Sequence, residues 1–287
     1  MSALVALLPD GRLHLQHGPI DCICRAWGDA PEVTEAYRQA AAAFAAVLAD
    51  LCAELPLLRT PLPNRRPTGP VAQAMHDACR PYAAGFITPM AAVAGAVADH
   101  ILAAMTQGRH LSRAFVNNGG DIAFHLAPGE RLRAGLVADI AAPALDGVAT
   151  LAAEQAHRGI ATSGRACKGR GGRSFSLGIA DAVTILARTA AIADAAATVI
   201  ANAVDLPGHP AVIRRPAADI DPDSDLGAHP VAWDLLPLAP KDVVAALDAG
   251  RLVADALVRA GLIGGAVLAL RGRFAAAGHR LLQLEPA

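Results

Sequence analysis

The order of local textures along this chain limits its fold more than any single motif does. Short strand-like segments at 3–8, 12–16 and 20–27 precede a helical run that Pro31 and Glu32 open and that continues to about Glu54. Its apolar positions Ala36, Phe44, Val47, Leu48 and Leu51 recur at the spacing of one helix face. A connection rich in proline and arginine (58–68) leads to helices at 70–79 and 89–105, the second capped by Thr88 with proline at its first position. The texture then changes. Segments 113–117, 122–126, 132–140, 148–153 and 159–162 read as strands divided by glycine and charged turns, and 182–187 as another. Residues 190–202 read as a helix, the proline- and aspartate-rich stretch 207–230 as loop, 241–260 as a helix, and 266–271 and 280–284 as terminal strands. Helices and strands mix without a repeated strand–helix alternation. That predicts an α+β fold of mixed or antiparallel sheets packed with helices, not a doubly wound sheet. The sequence shows no internal repeat and no clean boundary, so 1–287 is expected to form one domain or two interlocked lobes.

Composition narrows the functional classes. Hydrophobic residues make up 54% of the 287 and aromatics only 3%. Alanine carries much of the apolar share, so the core must rely on close element contacts rather than on large rings. This composition excludes disorder. Twenty-five basic against 26 acidic residues leave a net charge of −1, which gives no general attraction for nucleic acid or anionic lipid. A mean hydropathy of +0.36 raises a membrane reading, but the uncharged stretch 81–98 contains Pro81, Gly85, Pro89 and Gly95 and makes a poor spanning helix. The N-terminal residues have no basic region before their apolar run and no small-residue cleavage site after it. A soluble, cytoplasmic protein is expected. The five cysteines include no C-x-x-C pair, and Cys22 and Cys24 would share one strand face, which favours free thiols over zinc.

Four segments carry possible chemistry. Asn117-Asn118-Gly119-Gly120-Asp121 lies between two strands; its glycines permit close approach of a ligand to the backbone, and it equally reads as a hairpin turn. Thr162-Ser163-Gly164-Arg165 is followed by Lys168, Arg170 and Arg173-Ser174-Phe175-Ser176. Hydroxyls, glycine amides and several cations there suit a phosphate or pyrophosphate, although the spacing is neither a P-loop nor a dinucleotide fingerprint. The same loop also reads as a solvated, basic surface. Asp194, Thr198 and Asn202 recur every four residues on one helix face, where a carboxylate and a hydroxyl offer part of an oxygen shell for Mg²⁺. A bland alternative for Asp194 is a place near its own helix start, favoured by the dipole. Finally, Asp219-x-Asp221-x-Asp223 through Gly227 hints at a calcium loop but lacks the sixth-position glycine and the twelfth-position glutamate, so it reads as a turn.

Taken in order, Gly119-Gly120-Asp121, Ala161-Thr162-Ser163-Gly164 and Ala193-Asp194-Ala195-Ala196-Ala197-Thr198 resemble the G-G-D, A-T-S-G and A-D-x-x-A-T motifs of the ApbE-like superfamily, whose founding activity is FAD:protein FMN transfer. Gly95-Ala96-Val97-Ala98-Asp99 is similar to that family's K-G-x-x-x-D helix, with Ala94 in place of the lysine. The resemblance covers roughly 85–205 and is greatest to a branch carrying T-P-M-A-A-V-A-G, V-N-N-G-G-D-I and S-F-S-L-G-I-A-D-A-V-T. Where other members carry H-I-I-D-P-x-T-G, this chain has Ser174 to Asp181 without that motif. The resemblance implies a fold related to the T-fold, Asp194 and Thr198 as Mg²⁺ ligands, Thr162, Ser163 and Gly164 lining a flavin-nucleotide site, and Gly119 to Asp121 bordering it. Asn117, Asn118, Ser174 and Ser176 join the expected cofactor-binding set, and Asp194, Arg165 and Arg173 the catalytic set. The expected activity is attack on the pyrophosphate of FAD, with an acceptor protein supplying the hydroxyl. A non-catalytic flavin carrier, a biosynthetic enzyme of a pterin-like or one-carbon cofactor, and an assembly protein using the basic loop are the alternatives. A homodimer fits the sheet edges and alanine-rich helix faces.

Overall fold

The computed structural model describes residues 3–136, 147–164, 166–167, 169, 175–278 and 282–283. The chain forms two compact units: Met1–Arg133, Thr150–Ala161 and Leu186–Ala195 in the first, and Ala134–Ala149, Thr162–Ile185 and Ala196–Ala287 in the second.

In the first unit five strands follow one another in space as in sequence. They are β1 (Leu4–Leu7), β2 (Leu13–His17), β3 (Ile20–Gly28), β4 (Leu111–Asn118) and β5 (Asp121–Leu126), each antiparallel to its neighbour. Strand alternation sorts their side chains by face. Leu13 and Leu15, then Cys22, Cys24 and Ala26, then Ala114 and Val116 are all buried, and the register pairs Leu15 with Cys22, Cys24 with Val116, and Ala26 with Ala114. Four helices complete the frame: α1 (Ala30–Ala53), the single turn α2 (Leu55–Leu58), α3 (Pro70–Cys79) and α4 (Val93–Thr106). Helix α1 buries Ala36, Ala40, Phe44, Val47 and Leu51 along one stripe, as its apolar spacing predicts.

Helix α4 departs from the expectation. Pro89–Ala92 form a 3₁₀ turn, and Ala92 (φ −126°, ψ 14°) is the true N-cap. Thr88 makes no side-chain capping hydrogen bond and is 3% exposed; the amides at the start of α4 are satisfied from elsewhere, as described below. Among the described residues one helical stretch, Pro89–Thr106, is long and apolar enough to cross a membrane by length and composition. Here it contacts α1, α3, β4 and β5 and buries Ala96, Val97, Ala98, Ile101 and Met105, which is the behaviour of a core helix.

Strands β6 (Arg131–Leu136), β7 (Gly147–Ala152), β8 (Gly159–Ser163) and β9 (Ala182–Ala187) and helix α5 (Ala190–Ala203) each contribute residues to both units. Within the first, Gly159 and Ile160 of β8 pair antiparallel with Ala123 and Ile122 of β5. The second unit adds β10 (Val212–Pro216), α6 (Ala217–Ile220), β11 (Pro230–Leu235), α7 (Pro240–Arg259), β12 (Gly265–Leu270), β13 (Arg273–Gly278) and β14 (Leu282–Gln283). Its strands run in the order β8-β9-β12-β13, and α7 packs on β12 and β13. Strands β10 and β11 form a separate antiparallel ribbon with a bulge between Ile213 and Arg214. In the remaining small sheet Leu282 of β14 lies opposite Ala149 of β7. The fold is α+β, with antiparallel sheets packed by helices.

The stretch 207–230, expected to be loop, contains β10 and α6, and the sequence reading also passes over β13. Ile-Arg-Arg-Pro and Phe-Ala-Ala-Ala lack a clear two-residue alternation; β10 is held by β11 across an intervening helix and turn, and β13 by the hairpin it forms with β12. The Asp219 to Gly227 segment is a hydrogen-bonded turn: the Asp223 and Ser224 amides donate to the Asp221 side chain and carbonyl, each at 3.0 Å. The expected strand at 132–140 runs through Arg131–Leu136, with 137–140 outside the described residues; of 280–284, only Leu282–Gln283 is described. All five cysteines are free, and only Cys52 is exposed. Burial pushes the Cys22 thiol up to about 12.

Candidate functional site

The site in the first unit starts from the β4–β5 hairpin. Asn118 and Asp121 stand opposite each other, joined by Gly119 (φ 66°) and Gly120 (φ 114°). Two successive positive φ angles match the right-handed twist of the flanking strands, and side chains resist them. The Asn117 side-chain oxygen accepts the Gly120 amide at 2.9 Å, closing the turn locally. The segment is the hairpin turn, and the turn also delivers polar groups. Alternation from Ala114 and Val116 puts Asn118 on the same buried face, and its Nδ2 donates to the Ala94 carbonyl at 3.1 Å. Asp121, as the cross-strand partner of Asn118, shares that face.

Helices α4 and α5 cap one another. The Gly95 amide, an orphan donor in the first turn of α4, donates to Asp194 Oδ2 at 3.0 Å, and the Ala94 amide also donates to this carboxylate. In return Asp99 of α4 accepts the Ala190 and Ala191 amides at 3.0 and 2.9 Å. The Thr189 hydroxyl accepts the Ile192 amide at 3.2 Å. The reading of Asp194 as a ligand of its own helix dipole is therefore corrected: its carboxylate serves the N-terminus of α4, and Asp99 serves that of α5. We expect Asp99→Ala to destabilise the protein by about 2 kcal/mol by stranding two helix-start amides. A lowered urea midpoint reads this loss, and Asp99→Asn, which keeps one acceptor oxygen, should lose less.

Electrostatics follow from this packing. Burial raises the Asp194 carboxyl well above the ordinary range, the Asp121 charge raises it further, and the Gly95 and Ala94 amides oppose the shift. Asp194 nevertheless keeps partial exposure. Burial also raises Asp99, against its bonds from Ala191, Ala190 and Thr189. A carboxyl raised in the folded state contributes stability that is complete below its unfolded value and is lost as pH rises through the folded one. Without divalent cation, the thermal midpoint is therefore expected to fall as pH climbs from the usual carboxylate range towards neutrality. Asp194→Asn should flatten that profile; an unchanged slope would contradict the assignment.

Among the described residues no group of three or more His, Cys, Asp or Glu is placed to hold a metal. A magnesium ion does not need one, since it binds through one or two carboxylates and completes its shell with water and phosphate oxygens. Asp194, the neighbouring Asp121 charge and Thr198, one turn further along α5, are hard oxygen donors of that kind.

In the second unit the Thr162 and Thr184 hydroxyls bond each other at 2.9 Å, and Ser163 and Gly164 are partly exposed at and just beyond the end of β8. Ser176 is buried and donates to Asn202 Oδ1 at 3.0 Å, which also accepts the Leu177 amide at 2.9 Å. Asn202 thus holds the 176–178 turn through its side-chain oxygen. Arg165, Lys168, Arg170, Arg173 and Ser174 lie outside the described residues. Sequence reasoning missed the roles of Gly95, Asp99 and Thr184; the Gly95-to-Asp99 spacing was the one available signal for the first two.

An α+β protein with a G-G-D hairpin, paired carboxylates and mutually capped helices belongs with the ApbE-like proteins its motifs resemble. A family model described as AbpE bacteria matches residues 5–276, and the chain belongs to that family. UPF0280 proteins of Methanothrix thermoacetophila and Methanoregula boonei are 37% and 36% identical to it over 142 and 159 residues. These matches cover 50% and 53% of this chain and 55% and 61% of the relatives, so they span little more than half the relatives' length. Among solved structures, the ApbE protein of Thermotoga maritima is similar with a TM-score of 0.38 and 16% identity, covering 88% of this chain and 77% of the other. The flavinyl transferase ApbE of Pseudomonas stutzeri has a TM-score of 0.37 and 14% identity, with 90% and 75% covered.

Proposed function

We propose that this protein binds a flavin nucleotide with Mg²⁺ and transfers FMN from FAD to a hydroxyl of an acceptor protein. Family membership and the ordered motifs support the flavin-nucleotide reading. The observation that supports the metal is that Asp194 accepts the Gly95 amide while Asn118, the cross-strand partner of Asp121, donates to the carbonyl of the adjoining Ala94, so both carboxylates meet the start of α4; burial and the Asp121 charge both raise Asp194. Such a pair holds either a proton or a cation. Asp194 and Thr198 are the proposed ligands, and the bound ion would supply positive charge to pyrophosphate oxygens.

The chain's own groups divide the remaining work. Thr162, Ser163 and Gly164 offer hydroxyl and amide donors to the nucleotide, and the Gly119 to Asp121 turn borders it. Asn117, Asn118 and Ser176 act as positioning residues through the Gly120, Ala94 and Asn202 bonds described above. Ser174 is proposed as a further nucleotide contact. Arg165 and Arg173 oppose negative charge on the leaving phosphate. In the transfer step the acceptor hydroxyl oxygen bonds to the phosphorus of the FMN half, and its proton passes to solvent. The phosphorus–oxygen bond to AMP breaks, with the electron pair leaving on AMP.

Incubation with FAD, Mg²⁺ and candidate acceptor proteins tests this reading by AMP release and by flavin retained on denatured acceptor. FAD retention without AMP release would make the protein a carrier. Retention of a pterin but not FAD would favour the cofactor-biosynthesis alternative, and uptake of neither would overturn the proposal.

A further inference from the structure

We infer that Trp233, on the β10–β11 ribbon, is a positioning residue for the nucleotide: it seats Gly169 and so fixes the segment that joins Thr162-Ser163-Gly164 to Ser176. This rests on the flavin-nucleotide reading above, and the ribbon lies beyond 85–205, the stretch over which the motifs fall. The approach is close enough to select the residue type. A Cβ added at Gly169 would stand 2.7 Å from the Trp233 carbonyl oxygen and 2.9 and 3.1 Å from Cε2 and Nε1 of its indole. Only glycine comes this near without displacing backbone. Gly169 is itself exposed, so core burial does not impose the contact.

Bonds on either side of Gly169 make the seat firm, and every residue in them belongs to the second unit. Before it, Ala166 and Cys167 are buried, and the Ala166 amide donates to the Ala180 carbonyl at 3.0 Å. After it, the ribbon takes hold again. The Ala232 amide donates to the Ser176 carbonyl at 2.9 Å. Arg214 donates from Nη1 to the Leu177 carbonyl and from Nη2 to Asp205 Oδ1, each at 2.5 Å. Trp233 is steadied in turn by Arg215, whose guanidinium carbon lies 4.6 Å from the ring centroid. Arg215 stands opposite Val231, two residues from Trp233, so the pair shares one ribbon face. A segment of hydroxyls, glycines and cations binds phosphate well only when its donors already converge, because ordering it on binding costs affinity. Arg165 and Arg173, which oppose phosphate charge in the reading above, stand in sequence four residues to either side of Gly169. Anchoring Gly169 shortens the free chain on both sides before the guest arrives.

Substitutions at both partners, made in the full chain, test the inference. The chain has two tryptophans, so a Trp27→Phe background leaves the emission of Trp233 alone to be read. There Gly169→Ala should move the ligand-free emission to longer wavelength, because the segment lifts from the indole. Its affinity for FAD in Mg²⁺ should weaken about tenfold, the worth of one charge-assisted contact. Trp233→Leu should weaken FAD binding to a similar degree, read below its thermal midpoint. Trp233→Phe, which keeps a ring for Gly169 and Arg215, should recover most of that loss. An unshifted emission, or a Gly169→Ala protein that binds FAD as tightly as its parent, overturns the inference. So does a Trp233→Leu protein that loses stability yet binds FAD like the wild type, since Trp233 would then serve packing alone. If Trp233→Leu does not fold, Gly169→Ala still decides. If the wild type does not take up FAD, the flavin-nucleotide reading fails together with the inference. If it does and Gly169→Ala matches its parent, the inference alone fails.

Discussion

Asp194→Ala is expected to weaken Mg²⁺-dependent FAD retention by about 100-fold or more, because it deletes the proposed metal-ligating carboxylate. The same change also strands the Gly95 and Ala94 amides that this side chain accepts, which costs about 1–3 kcal/mol. A lone alanine variant would therefore confuse ligation with capping. Asp194→Asn separates them: an amide oxygen still accepts from Gly95, whereas the charge and its repulsion from Asp121 disappear. The asparagine variant should stay as stable as the wild type at neutral pH, or become more so, while losing the metal-dependent part of FAD binding. Equilibrium dialysis with and without Mg²⁺, beside urea unfolding, reads the two effects independently. An alanine variant that retains FAD and Mg²⁺ as tightly as the wild type would remove Asp194 from the site.

The second large effect is expected at Gly95. A Cβ there would stand 2.2 Å from the Ala190 carbonyl oxygen, 2.4 Å from its carbon and 2.7 Å from the Ala191 nitrogen. These are backbone atoms at the start of α5, so no side-chain rotation relieves the clash and one helix must move. Overpacking of this kind costs about 3 kcal/mol or more, against about 1 kcal/mol gained from alanine's better helix propensity. The thermal midpoint of Gly95→Ala should fall by about 4–10 °C. The displacement also draws the Gly95 amide away from Asp194, so FAD retention should decline with stability. Gly85→Ala is the matched control: its Cβ would meet only the Tyr82 carbonyl oxygen, at 3.8 Å, and its midpoint should stay near that of the wild type.

Legibility in the sequence followed the range of the interactions. The stripe of α1 could be read because one helix turn sets the spacing of Ala36, Phe44, Val47 and Leu51. The Asn117 to Asp121 hairpin was legible for a similar reason, since two adjacent glycines admit few turns. The start of α4 was misplaced because the acceptor for its amides lies 99 residues away, where Thr88 offered a plausible local cap. Strand β10 was missed because a partner strand, not its own alternation, holds it, and β13 because its largely exposed side chains show no alternation although its partner is the adjacent strand.

The candidate site shows the same division. The recurrence of Asp194, Thr198 and Asn202 on one helix face is a property of 3.6-residue geometry and was available before any coordinates. The α+β class likewise came from the order of textures. Tertiary structure alone decided that Asp194 turns to the amides of α4, that Asp99 answers it on α5, and that Asn202 is committed to the 176–178 turn. Covalent geometry repeats along a chain and can be read from spacing. Which carboxylate meets which amide depends on how closely two helices approach, and that distance is set by the absence of a side chain at Gly95 acting together with packing from remote parts of the fold.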